Sequence, residues 1–130
     1  MIRVREVALL MVLVAHSPAM AAGKENENKG GATKKYEPGD AVKGKEVYKT
    51  ACLTCHGETG DGLGPAGKYL TPKPRNFVKD KFKEGDSEEA IFKTVTNGLP
   101  GSPTMAAFKE TLKDEDRRNV AAYVRSLRAK

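Results

Sequence analysis

Apolar residues recur every three to four positions in three separate stretches of this chain, and nowhere do β-branched residues alternate for the length of a strand. From Asp40 to Ala51, the residues Gly44, Val47, Tyr48 and Ala51 fall at i, i+3, i+4 and i+7, with lysines and Glu46 on the other faces. This predicts an amphipathic helix that runs straight into Cys52. A second helix is predicted to open at Asp86 or Ser87, whose side-chain oxygen can accept an orphan amide bond, with Glu88 and Glu89 favourable in the first turn. Asn97-Gly98 ends it, because glycine tolerates a left-handed C-terminal backbone. A third spans about Asp114 to Arg128. Its acids Asp114, Glu115 and Asp116 come first, Arg125 and Arg128 come last, and Val120, Tyr123, Val124 and Leu127 form the stripe.

Residues 57–80 hold glycines at 57, 60, 62, 64 and 67 and prolines at 65, 72 and 74, which predicts a long irregular loop. The expected fold class is all-α, with about three main helices plus long loops. Only 22 of the residues from 36 to 130 are Val, Ile, Leu, Met, Phe or Tyr, a thin supply for a core under three short helices. A loop of this length is expected to wrap something or to carry function. A large apolar ligand at the centre would account for both features.

At 130 residues the chain has room for one domain. Residues 1–21, MIRVREVALLMVLVAHSPAMA, read as a signal peptide: Arg3 and Arg5, an apolar run from Val7 to Ala15, a break at Ser17-Pro18 and a small-residue cleavage site near Ala21. The competing reading is a retained anchor, but a run that short spans under half of a hydrocarbon layer roughly 30 Å thick. Residues 22–35 lack any large apolar side chain and read as a disordered polar linker, leaving 36–130 as the folded domain.

The net charge is +6; the leader holds two basic residues and one acidic one, so the remainder is +5. This modest excess either favours acidic partner surfaces or keeps the protein soluble. With no Trp and with charges of both signs interleaved, there is little support for nucleic-acid binding.

The candidate chemistry is concentrated in "CLTCHG", residues 52–57, which holds both cysteines of the chain. A redox dithiol would place C-x-x-C after a strand, whereas this pair follows a helix. A structural zinc needs four ligands, and beyond the leader there are only Cys52, Cys55 and His56. The third reading is covalent haem c, in which two thiols add to the haem vinyl groups and the next residue, His56, ligates the iron. Beyond the leader the chain has one histidine, so a second imidazole is not to hand, and one methionine, Met105, in the Gly/Pro-rich stretch "GLPGSPTMAAF". Met105 is either a core filler or the sixth ligand. Flanking Pro100 and Pro103 stiffen the loop and favour ligation.

"CLTCHGETGDGLGPAGKYLTPKPRNF", then "GLPGSPTMAAF" and "DRRNVAAYVRSL", resemble a class I mono-haem cytochrome c over nearly all of residues 40–128. The resemblance implies thioether attachment at Cys52 and Cys55, His56 as proximal and Met105 as distal iron ligand, and loops wrapped around one covalent haem c. It also implies that Gly44 and Tyr48 cross the last helix near Tyr123 and Leu127. Pro65 matches the proline whose carbonyl takes the proximal ring N–H, and Arg75 lies where relatives neutralise a haem propionate; a solvated surface role for Arg75 stays open. Two departures stand out. Ala106 follows Met105 where many relatives have proline, and Lys113 precedes the last helix where Ser or Asp is commoner, so that Asp114 is the alternative cap.

With both axial positions filled, the expected function is a non-enzymatic, monomeric, periplasmic or otherwise exported one-electron carrier, docking transiently with a redox protein donor and acceptor, without stable membrane insertion. Lys73, Lys79, Lys81 and Lys83 are candidates for steering those encounters. The alternatives are a haem subunit of a larger respiratory complex, and a haem enzyme or gas sensor in which Met105 dissociates.

Overall fold

Capping chemistry sets the first helix. In the computed structural model, which describes residues 35–128, Asp40 sits in extended backbone and its carboxylate accepts from the N–H groups of Val42 (2.8 Å) and Lys43 (3.2 Å), opening α1 at Ala41–Ala51. The predicted leader, the linker up to residue 34 and the last two residues lie outside the described part. Four helices occur among the described residues, with no strand: α1, α2 at Leu53–His56, α3 at Glu88–Asn97 and α4 at Asp114–Leu127, plus a 3₁₀ turn at Gly67–Tyr69. The three periodic stretches thus appear within a residue or two of their expected limits. Ser87 caps α3 by accepting from Ala90 N–H (3.1 Å), and Gly98, at φ 75°, ends it.

α4 is the central element. Both α1 and α3 pack on it, and α1 does so most extensively. Its inner face buries Val120, Ala121, Val124 and Leu127, which join Tyr48, Phe77, Ile91 and Val95 in one apolar cluster. Tyr48 and Val120 are its largest fully shielded side chains. The Tyr48 ring meets Tyr123 edge-on at 5.1 Å between centroids, a contact worth about 0.5–1.5 kcal/mol beyond its burial.

The α1–α4 crossing is tight. A Cβ on Gly44 would overlap the Asn119 carbonyl and sit 3.0 Å from the Cβ of Tyr123, so this helix position has room for a hydrogen only. The crossing expected at Tyr123 is present, whereas Leu127 lies farther along α4 and reaches Gly60. Asn119 adds a polar lock that was not foreseen: buried on α4, its side-chain oxygen accepts from Asp40 N–H at 2.8 Å and pins the start of α1.

The start of α4 corrects one expectation. Lys113 occupies the N-cap position without a side-chain bond, and Asp114 does not replace it. Asp114 instead pairs with Arg117 (3.0 Å) and Arg118, while Arg117, nearly buried, donates to the carbonyls of Lys109 (2.9 Å) and Leu112 (3.2 Å) and faces the Phe92 ring. The turn before α4 is therefore closed by an arginine from inside the helix.

Gly44→Ala should lower stability by a net of about 2 kcal/mol, because overpacking against backbone outweighs the ~1 kcal/mol gain in helix propensity. Val42→Ala, two residues away on an exposed face, should stay within about 0.5 kcal/mol. Denaturant midpoints for the two variants check the contrast.

Candidate cofactor site

Where α1 stops, the chain turns at once into the single turn of α2. The Cys52 N–H still closes α1 on the Tyr48 carbonyl (2.9 Å), and the Cys52 carbonyl then accepts from Cys55 (3.2 Å) and His56 (2.9 Å). This places both thiols and the imidazole on one compact turn, fastened to α1. Tyr48 secures the far end, its buried hydroxyl donating to the Gly57 carbonyl at 2.7 Å.

The glycine-rich segment after the turn closes over it. The N–H groups of Gly62, Gly64 and Ala66 donate to the carbonyls of His56 (2.9 Å), Cys55 (3.2 Å) and Thr54 (2.9 Å), so the loop satisfies groups that a helix end leaves orphaned. A Cβ on Gly67 would collide with the Cys55 carbonyl. Sequence reading identified this segment as irregular; its role as a backbone cap depends on an approach that only glycines permit.

A cavity of about 370 Å³ opens beside the turn. Cys52, Cys55 and His56 line one side. Met105 and its neighbours from the loop after α3 line another, with Ile91, Val95, Val120 and Val124 forming an apolar wall. The Met105 loop is braced from within: Ser102 N–H donates to the Leu99 carbonyl (3.0 Å), Leu99 N–H to the Met105 carbonyl (3.3 Å), and the Ser102 hydroxyl accepts from Met105 N–H (3.3 Å).

The remaining two predicted site residues part company. Arg75 lines the cavity, half-buried, with its guanidinium donating to the Lys81 carbonyl. Pro65 is exposed and outside the cavity lining. His56 Nδ1 is buried without a hydrogen-bond partner, so no bond from it reaches the Pro65 carbonyl. Phe77, which sequence reading did not single out, stacks on the imidazole with centroids 4.4 Å apart.

Burial sets the electrostatics. It holds the His56 pKa below the usual imidazole range, with the Arg75 backbone the one group acting in the other direction, although no hydrogen bond to Nδ1 is completed. A neutral imidazole is the form that binds a metal. The Cys52 thiol is pushed up to about 12 by burial and then by the neighbouring Cys55, so it stays protonated at neutral pH and is poorly suited to thiolate redox chemistry. An apolar chamber carrying two thiols, a neutral imidazole with an orphaned nitrogen and a thioether suits a flat apolar group with a metal at its centre.

Residues 39–124 match the sequence family described as cytochrome c oxidase, cbb3-type, subunit III. Cytochrome c-554(547) of Halothiobacillus neapolitanus is 35% identical over 92 residues, covering 69% of this chain and 99% of the relative. The cbb3-type cytochrome c oxidase subunit CcoP of Azospirillum brasilense is 33% identical over 87 residues, covering 67% of this chain but 28% of that subunit. Among solved structures, cytochrome c6 from the diatom Phaeodactylum tricornutum superposes with a TM-score of 0.53 at 26% identity, covering 70% of this chain and 97% of the other.

Gly67→Ala should push the 62–67 loop off the α2 carbonyls, destabilising the protein by about 1–3 kcal/mol. Amide hydrogen exchange at Gly62, Gly64 and Ala66 should rise with it; unchanged protection there would contradict the capping role.

Proposed function

The chain belongs to the class I mono-haem cytochrome c family and binds one covalent haem c; on that premise we propose that it is an exported, soluble one-electron carrier with His/Met axial ligation and no enzymatic activity of its own. The observation that carries this reading is the meeting of His56 and Met105, distant in sequence, in the lining of a single apolar cavity with Cys52 and Cys55. The haem supplies one-electron exchange between ferrous and ferric iron.

The chain's own residues would act as follows. Cys52 and Cys55 would form the two thioether bonds, their thiols held two residues apart where α1 turns into α2. His56 gives the proximal nitrogen, kept neutral by burial. Met105 gives a thioether sulfur from the braced loop, a donor that favours the reduced metal and raises the potential relative to two imidazoles. With His56 and Met105 both given to the metal, no coordination site would be left for substrate. Arg75, at the cavity wall, is placed to balance a propionate, although its bond to Lys81 competes for the guanidinium.

Lys73 and Lys83 line the cavity rim and are the strongest of the four candidate lysines for steering an acidic redox partner into brief contact. Lys79 and Lys81 are exposed beside Asp80, which offsets their charge. No helix among the described residues is long and apolar enough to cross a membrane. We assign residues 1–21 to a cleaved signal, 22–35 to a polar tether and 36–130 to the haem domain, which places the carrier in the periplasm or an equivalent exported compartment.

The likeness to a cbb3 oxidase subunit supports a second reading, a haem subunit of a larger respiratory complex. Co-purification with membrane proteins that survives a salt wash would favour that reading, and a free monomer after the same wash would favour the shuttle.

Absorption spectra of the holoprotein in both oxidation states test the ligand set. A c-type reduced spectrum with a weak sulfur-to-iron band in the oxidised state is expected. Met105→Ala should abolish that band, lower the reduction potential and admit carbon monoxide, which the wild type should resist at low concentration. Ready binding by the wild type would point instead to the enzyme or sensor alternative.

A further inference from the structure

One wall of the cavity is held by side chains and not by backbone. Asp80, Phe82, Lys83, Glu84 and Gly85 line it, in a stretch that is neither helix nor strand. Among the described residues, no backbone-to-backbone hydrogen bond involves residues 81–86. Burial does little more, since Phe82 is the one residue of 80–86 that is even partly shielded. Such a segment belongs to the low end of local stability unless something else ties it down.

Two arginines supply that tie. Arg75, in the cavity lining, donates to the Lys81 carbonyl. Arg128, the C-cap of α4, is outside the lining and reaches the same segment at three points. One terminal nitrogen donates to the Asp80 carbonyl at 2.5 Å, Nε lies 3.4 Å from an Asp86 carboxylate oxygen, and the guanidinium carbon lies 5.4 Å from the centre of the Phe82 ring. Start, middle and end of the segment thus converge on one side chain. Phe82 carries the hold into the core, its ring parallel to buried Phe77 within 5° at 5.7 Å. Asp86 directly precedes Ser87, the cap of α3, so the same arginine ties the end of α4 to the entrance of α3.

We propose that Arg128 is a positioning residue that pins the 80–86 wall onto the cavity and so limits water at this edge of the cofactor. This rests on the reading of the cavity as a haem site. Water stabilises the more highly charged, oxidised metal, so a wall held in place favours the reduced state and a higher potential. A lysine is no substitute, because an ammonium lacks the planar fork that serves a carbonyl, a carboxylate and an aromatic ring together.

The test uses the holoprotein and its variants Arg128→Lys, Arg128→Ala, Asp86→Asn and Arg118→Ala. The readouts are backbone order parameters of residues 81–86 from nitrogen relaxation in the reduced form, the rate of trypsin cleavage after Lys81 and Lys83, and the reduction potential. In Arg128→Lys, which keeps the charge, order parameters should fall from about 0.85 to below about 0.6. Cleavage should quicken several-fold, and the potential should drop. Arg128→Ala should do the same or more. Asp86→Asn should loosen 84–86 and lower the potential, whereas removing a negative charge that acts only through space would raise it. Arg118→Ala removes an ion pair from α4 away from the wall and should leave order parameters and cleavage at wild-type values. A wild-type wall in Arg128→Lys, a raised potential in Asp86→Asn, or equal loosening in Arg118→Ala overturns the inference. Absence of a c-type spectrum in the wild type removes the underlying reading instead, and the relaxation and cleavage contrasts then still decide the pinning.

Discussion

The close crossing of α1 and α4 at Gly44 is the contact on which the rest of the architecture depends. Because no side chain separates the two backbones there, Tyr48 one turn later is driven against Tyr123 and its hydroxyl arrives at the Gly57 carbonyl. That bond, with the Asn119 lock on Asp40, fixes both ends of a segment running from the start of α1 through the Cys52–His56 turn. The Cys52–His56 turn is therefore located by helix packing at a distance from it. A looser crossing would move the thiols and the imidazole together, relative to a wall on α4 that stays in place.

The second constraint is a deficit. α1 and α3 each pack on α4, and the side chains of α3 and α4 wall a chamber beside the Cys52–His56 turn. In a domain of this size, with few large apolar residues, the covalent haem of the family does the work that core side chains do elsewhere, and the long loops become its walls. This explains why apolar residues on loops, such as Phe77 and Leu99, face inward and why the loops are rich in internal hydrogen bonds.

The two faces of that chamber are built differently. On the His56 side, the glycine loop and the segment 74–77 hold each other and the Cys52–His56 turn through backbone bonds and stacked rings. On the Met105 side, one loop braces itself with a few bonds among Leu99, Ser102 and Met105, and Gly101 at its tip has open space around it. Rigidity is concentrated on the face that carries three of the four proposed attachment and ligand residues. Met105, the proposed sulfur ligand, is held by local turn geometry, stiffened by Pro100 and Pro103.

Much of this was determined by the order of residues alone. Helix positions follow from the spacing of apolar side chains and from caps such as Asp40, Ser87 and Gly98, all of which act within a turn of backbone. The C-x-x-C-H spacing and the single methionine after residue 20 narrow the chemistry, because covalent attachment and ligation demand particular atoms regardless of fold. Tertiary structure alone decided which residues stand around those atoms. Pro65 and Phe77 are both near the motif in sequence, yet one faces solvent and the other lies flat on the imidazole. Asn119 and Arg117 look like ordinary helix-surface residues until a partner backbone arrives. The glycines of the 57–67 stretch read as an irregular loop, but Gly67 is there because a carbonyl comes too close for anything larger. Periodicity, caps and donor atoms are local properties, whereas close approach, stacking and burial depend on segments that meet only when the chain has folded.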